Sequence, residues 1–207
     1  MPNGDSGRMC HQRSELLYTH GMSSRTRCLL NSGSIREDME DNVLLLPLLE
    51  AELVKLKGSE GDGTTDTQRI EELKNAIDDA RTAAEFGVRR VQAEFYNAFS
   101  TADFHKMSDV WSRSDGVCCT HPGMHSLQGI DTVMDSWRQI FAGYAGSDDK
   151  KAFKISPSRV KVDICGRTAI CTCVEETNGG RLEALNIYRR EGGSWKMVNH
   201  MASPVMM

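Results

Sequence analysis

The chain has 207 residues, 39% of them hydrophobic and 26% charged, with a formal net charge of −4. That composition supports one folded domain of about 100–150 residues with extensions and excludes wholesale disorder. The negative charge argues against a general nucleic-acid binder. No apolar run approaches the roughly 18 residues that a membrane span needs, so neither nucleic acid nor membrane is an expected partner.

Charge is spread unevenly. Residues 1–36 hold five Arg, no Lys and two acids, whereas residues 37–88 hold fourteen acids against five bases. The first segment lacks periodicity and is rich in Ser, Gly, Asn and Arg. It reads as a disordered tail, or alternatively as a cleaved organelle-targeting segment. A cytoplasmic location is expected in the first case and a plastid or mitochondrial one in the second. The seven cysteines are odd in number and follow no secretory signal. They are read as small buried hydrophobes rather than a disulfide framework.

Residues 37–57 predict a helix, with Leu45, Leu49, Leu53 and Leu56 on one face. Pro47 inside it must either start the helix late or kink it. The glycine-rich stretch 58–65 is a loop, and Thr65 or Asp66 can cap the next helix. There Ile70, Leu73, Ile77, Ala80, Ala84, Val88, Val91, Phe95 and Phe99 recur at three- and four-residue steps. The two helices are expected to form an antiparallel hairpin, with an intermolecular coiled coil as the alternative.

Residues 103–112 predict a short helix ending at Trp111. Residues 117–121 alternate as a strand that Pro122-Gly123 stops. Residues 129–144 predict a helix with Val133, Trp137, Ile140, Phe141 and Tyr144 on one side. Four strand-like runs follow at 153–158, 160–164, 168–176 and 182–190, then a last one at 195–202. Pro157 suits an edge or a bulge, so the first two runs can be one strand. Asn178-Gly179-Gly180 and Glu191-Gly192-Gly193 are hairpin turns. Helices followed by consecutive antiparallel strands make the fold class α+β.

Within 86–205 the markers fall in a recognisable order. They are Phe95 and Phe99, Trp111, His121-Pro122-Gly123, Gly129, Trp137 with Phe141, Asn186 with Tyr188, and Trp195, His200 and Ser203. This order resembles the SnoaL-like branch of the nuclear transport factor 2-like superfamily. The resemblance implies a curled antiparallel sheet that forms a cone with its helices, preceded here by the N-terminal helical hairpin. It divides the chain into a tail (1–36), the hairpin extension (37–85) and a SnoaL-like domain (86–205). It also implies a small apolar or carbonyl-bearing ligand in the cone and, with an apolar outer sheet face, a homodimer. Catalytic members place a carboxylate or His base inside the cone beside a polarised carbonyl, and no motif marks an Asp at such a position here.

Strand alternation sorts the candidates. Val117, Cys119 and His121 share a face; so do Ala169, Cys171, Cys173 and Glu175; so do Ala184, Asn186 and Tyr188. On the last strand strict alternation sets Trp195, Met197 and Asn199 against Val198, His200 and Ala202. His121 and His200 are candidate bases, since imidazole titrates near neutral pH, with Tyr188 as hydrogen-bond donor. His200, amid apolar neighbours, needs a partner from Asn186, Tyr188 or Glu183. Trp111, Trp137, Phe141, Asn186 and Cys119 are candidate ligand contacts. Each of these side chains has a purely structural role as its alternative: His121 pinning a turn, His200 a cross-strand bond, the Trp residues filling the core. His121 and His125 stand i, i+4, but Pro122-Gly123 between them forbids a helix, so no metal site is expected. No nucleotide-binding or serine-hydrolase motif is present and no cofactor is expected. The functional expectation is a small-molecule-binding domain, with an isomerase-, cyclase- or dehydratase-type enzyme and a pure interaction module as alternatives.

Overall fold

The computed structural model describes residues 42–58, 65–145 and 154–205. The expected tail over 1–36, most of the loops at 58–65 and 145–151, and the side chain of Tyr144 lie outside the described residues. A 3-10 turn, Asn42–Leu45, leads into α1 (Leu46–Gly58), followed by α2 (Thr65–Ser100), α3 (Phe104–Val110), β1 (Cys118–Thr120), β2 (Leu127–Gln128) and α4 (Ile130–Ala145). Then come β3 (Ile155–Cys165), β4 (Thr168–Thr177), β5 (Gly180–Glu191) and β6 (Ser194–Pro204). The architecture is α+β, with a curled, unclosed six-stranded sheet in the order β2-β1-β6-β5-β4-β3. Among the described residues no helix is long and apolar enough to cross a membrane.

Pro47 does not kink the first helix. It occupies the first turn of α1, where its missing N–H would have no intrahelical partner. The α-helix begins late because the preceding residues form the 3-10 turn. Val43, Leu46 and Leu49 are buried against α2. Pro47 reaches the β3–β4 turn, its Cγ 3.6 Å from where a Cβ on Gly166 would lie. Glu50–Arg81 and Glu52–Arg69 ion pairs, at 2.5 and 3.3 Å, tie the two helices at the surface. Exposed pairs contribute little stability, so the apolar contacts hold the hairpin.

Along α2 the expected stripe is buried from Leu73 through Phe95. The helix ends in a Schellman motif: Asp103 N–H donates to Ala98 O at 2.9 Å and Ala102 N–H to Phe99 O at 3.1 Å. Ala102 takes the left-handed position, with φ 52°, which glycine usually fills. Asp103 then caps α3 by accepting from the Lys106 backbone N–H at 3.0 Å.

Strands β3 to β6 form an antiparallel meander, and β1 joins β6 in parallel. Pro157 lies on β3, the edge strand, as its missing donor requires. The two runs expected at 153–158 and 160–164 are one strand, with a register shift between Ser158 and Lys161 and a positive φ of 53° at Arg159. Gly192 and Gly193 both take positive φ, 52° and 79°, which suits the tight β5–β6 hairpin.

A second irregularity corrects the expected faces of β6. Ile187 pairs Asn199 while Tyr188 pairs Met197, so Val198 is an extra residue. This bulge flips the alternation. Trp195 and Met197 before it and His200 and Ala202 after it are therefore all buried, where strict alternation would separate them.

Candidate functional site

Buried polar side chains converge where α2 crosses the sheet: Gln92, Glu175, Asn186 and His200, none more than 2% exposed, with Tyr96 and Tyr188. Helical spacing places Gln92 and Tyr96 one turn apart on the sheet-facing side of α2. Alternation brings Cys173 and Glu175 inward from β4 and Asn186 and Tyr188 from β5, and the Val198 bulge delivers His200 from β6.

The hydrogen bonds form one connected network. Tyr188 OH donates to Gln92 Oε1, and Asn186 Nδ2 donates to the same oxygen at 3.0 Å. Gln92 Nε2 donates to Cys173 Sγ at 3.4 Å. Tyr96 OH donates to Glu175 Oε1 at 2.9 Å and lies 3.2 Å from Cys173 Sγ. Asn186 Oδ1 meets His200 Nδ1 at 2.7 Å.

These directions assign the imidazole tautomers. Asn186 Oδ1 can only accept, so His200 carries its proton on Nδ1 and its lone pair on Nε2. That Nε2 lies 4.0 Å from Glu175 Oε1. His121, at the end of β1, meets Ser136 Oγ through Nε2 at 3.0 Å. Ser136 spends its own proton on Val133 O at 2.7 Å. His121 is therefore the donor to Ser136, and its lone pair sits on Nδ1, 3.9 Å from Cys119 Sγ.

Burial sets the protonation states. It pushes the Glu175 carboxyl up to about 7, with the Tyr96 hydrogen bond working in the other direction. Burial, with His121 nearby, holds His200 down to about 3, and burial alone lowers His121. Between these values the Glu175–His200 contact joins a carboxylic acid to a neutral imidazole and is not an ion pair. Tyr96 and Tyr188 are raised by burial and stay phenols; Cys171 is pushed up to about 12 and stays a thiol.

An aromatic wall closes the other side. Trp137 contacts Phe99 at 4.9 Å between ring centroids, His121 at 4.8 Å, Phe95 at 5.7 Å and Phe141 at 5.8 Å. It also lies 6.3 Å from His200. The indole N–H of Trp137, wholly buried, has no hydrogen-bond partner among the described residues.

The structure thus brings His121, His200, Tyr188, Asn186, Trp137, Phe141 and Cys119 into one region. Tyr188 differs from its expected use, because its hydroxyl is committed to Gln92. Trp111 caps the end of α3 and bridges in parallel to Met197, the β6 residue paired with Tyr188, and among the described residues its ring pairs with none of the cluster's rings. Gln92, Tyr96 and Glu175 escaped sequence reasoning as functional groups. For Glu175 a signal existed, since an acid ended the inward stripe of Ala169, Cys171 and Cys173. Among the described residues no group of three or more His, Cys, Asp or Glu is arranged to hold a metal.

An α+β cone with polar groups collected on its inner face defines a nuclear transport factor 2-like domain. The SnoaL-like domain model matches residues 88–207, and the chain belongs to that family. Among solved structures it is similar to a proposed dehydratase of the nuclear transport factor 2-like family from Streptomyces avermitilis. Identity there is 30% and the TM-score 0.51, over 58% of this chain and 95% of the other. It is also similar to a proposed calcium/calmodulin-dependent protein kinase type II association domain from Thiobacillus denitrificans ATCC 25259. That match has 32% identity and a TM-score of 0.50, over 56% and 93% of the two chains. A nuclear transport factor 2-like protein of unknown function from Pseudomonas putida KT2440 shares the fold at 17% identity and TM-score 0.52, over 61% and 90%. No curated protein matches the sequence.

Proposed function

We propose that the inner face of the cone binds a small molecule carrying a hydroxyl or carbonyl group, and that Glu175 exchanges a proton with it. The observation that carries this reading is a buried carboxyl, raised to about 7, set 4.0 Å from the unprotonated Nε2 of His200. An oxygen about 2.8 Å from both atoms would bridge that gap at an angle of roughly 90°. A ligand hydroxyl there can donate to His200 and accept from the Glu175 acid. Protonated by Glu175, it leaves as water when its C–O bond breaks. A neutral imidazole, His121 Nδ1 by its lone pair, takes the proton from the adjacent carbon, and the C–H electron pair becomes the new C=C bond. A carboxyl poised near 7 suits such a transfer. The similarity to a proposed dehydratase supports the reaction class.

A thermal-shift screen of small hydroxy and carbonyl compounds, with mass spectrometry of any co-purifying molecule, identifies the ligand. On that ligand Glu175→Gln and His121→Gln should keep the fold and lose about 10²- to 10⁴-fold in turnover. Unchanged turnover in both variants would exclude the acid–base roles. Loss of stability with normal ligand binding would assign these side chains to structure alone.

A second reading, self-association, rests on the outer sheet face. Ile170 pairs with Ile187, and Leu185 with Met201; Ile170 and Met201 are 39% and 43% exposed. Such a patch suits a symmetric, self-complementary contact. The similarity to a proposed association domain supports it. The two readings use opposite faces of one sheet and are compatible.

A further inference from the structure

Trp137 offers a donor that no other described residue uses. Its indole N–H is buried and has no partner among the described residues, an unfavourable state unless something accepts from it. Trp111 and Trp195 also have indole N–H groups with no partner among the described residues. Their settings differ: Trp111 sits at the Met197 bridge and Trp195 under the Arg190 guanidinium at 6.0 Å. Trp137 has its ring centroid 4.8 Å from that of His121 and 6.3 Å from that of His200, and among the described residues neither other Trp has such a pairing with both histidines.

The cluster's hydrogen-bonding pattern is therefore specific. It holds two lone pairs, on His121 Nδ1, 3.9 Å from the Cys119 thiol, and on His200 Nε2, 4.0 Å from Glu175, and two donors, the Trp137 N–H and the Glu175 acid. Among the described residues no cation is in contact with it: Arg89, three residues before Gln92 on α2, acts on Cys171 through its charge but is half-exposed and paired with Glu85. The buried Arg190 lies four residues along β5 from Asn186, about 13 Å at strand rise, and stacks on Trp195. Burial lowers both histidines and so favours their neutral forms. An anionic ligand would be desolvated here with no cation in contact, which opposes its binding.

We infer that Trp137 is a ligand-binding residue that donates to a carbonyl oxygen, and that the site selects uncharged hydroxy-carbonyl molecules over the corresponding hydroxy-acids. This rests on the reading of the cone interior as a ligand site, and it adds the polarity of the ligand and the residue that reads it.

Two probes of equal shape test it: diacetone alcohol, an uncharged β-hydroxy ketone, and β-hydroxyisovalerate, which has a carboxylate in place of the acetyl group. They are titrated into the full chain carrying 15N-tryptophan, near pH 6, where a free carboxylate is ionised and Glu175 is mostly acid. The three indole N–H signals are assigned with single Trp→Phe variants. Diacetone alcohol should move the Trp137 signal and leave those of Trp111 and Trp195 in place, and it should bind at least about a hundredfold more tightly than β-hydroxyisovalerate. Trp137→Phe should weaken it about tenfold. Binding that moves the His121 and His200 imidazole signals but not the Trp137 indole would overturn this inference and leave the ligand site standing. So would equal affinity for the two probes. If neither probe perturbs any of these signals at millimolar concentration, the ligand-site reading fails and this inference falls with it.

Discussion

At the scale of single residues, Glu175 and His200 impose opposite pH dependences on stability. Glu175 has a folded pKa raised from 4.5 to about 7. Its folded state therefore holds the proton more tightly, and stability falls as pH rises from about 4.5 to about 7. His200 is lowered from 6.5 to about 3, so stability falls as pH drops from about 6.5 towards 3. Between about 4.5 and 6.5 the two slopes cancel. Each single variant should expose the other group. Glu175→Gln should be more stable than the parent above pH 7, by up to about 3 kcal/mol, and equal to it at pH 4. His200→Gln should lose stability steadily as pH rises through the same window. Urea denaturation at pH 4, 5.5 and 8 reads both; parallel profiles for parent and variants would show that neither group titrates as its burial implies.

At the scale of elements, two local features make separable predictions. Ala102 closes α2 from a left-handed conformation that costs an L-residue about 1 kcal/mol. Ala102→Gly should therefore raise stability by about 0.5–1 kcal/mol, measured as a shift in denaturation midpoint. A loss instead would mean that glycine's extra freedom in the unfolded chain outweighs the relief of strain. In α1, Leu49 is 2% exposed and Leu48 58%. Leu49→Ala should cost about 2–4 kcal/mol while Leu48→Ala stays within about 0.5 kcal/mol. Equal melting temperatures for these two variants would show that the hairpin is an independent appendage.

At the scale of the whole molecule, the same sheet serves two faces. The inner one holds the polar network and the outer one the Ile170, Leu185, Ile187 and Met201 patch. If the outer patch pairs two copies, light scattering after size exclusion should give a dimer at micromolar concentration, and the Ile170→Lys, Met201→Lys double variant should give a monomer. A parent chain that elutes as a clean monomer would remove the self-association reading and leave the inner site untouched.

What the sequence determined by itself was the set of elements and most of their faces. The α2 stripe, the inward runs of β4 and β5, the paired glycines of the β5–β6 turn and the edge position of Pro157 follow from local periodicity and backbone sterics. Those signals live within a few residues of one another, and the marker order from Phe95 to Ser203 carried the fold class with them. The site's composition was decided by contacts far apart in the chain. His121 and His200 were visible as isolated candidates, but their tautomers depend on Ser136 and Asn186. Gln92 and Tyr96 looked like ordinary helix positions until α2 crossed the sheet. Glu175 became a carboxyl near 7 only because the fold removed it from water and gave it Tyr96, 79 residues away. The bulge at Val198, which turns His200 inward, depends on the register with β5, and strict alternation along one strand cannot foresee an extra residue.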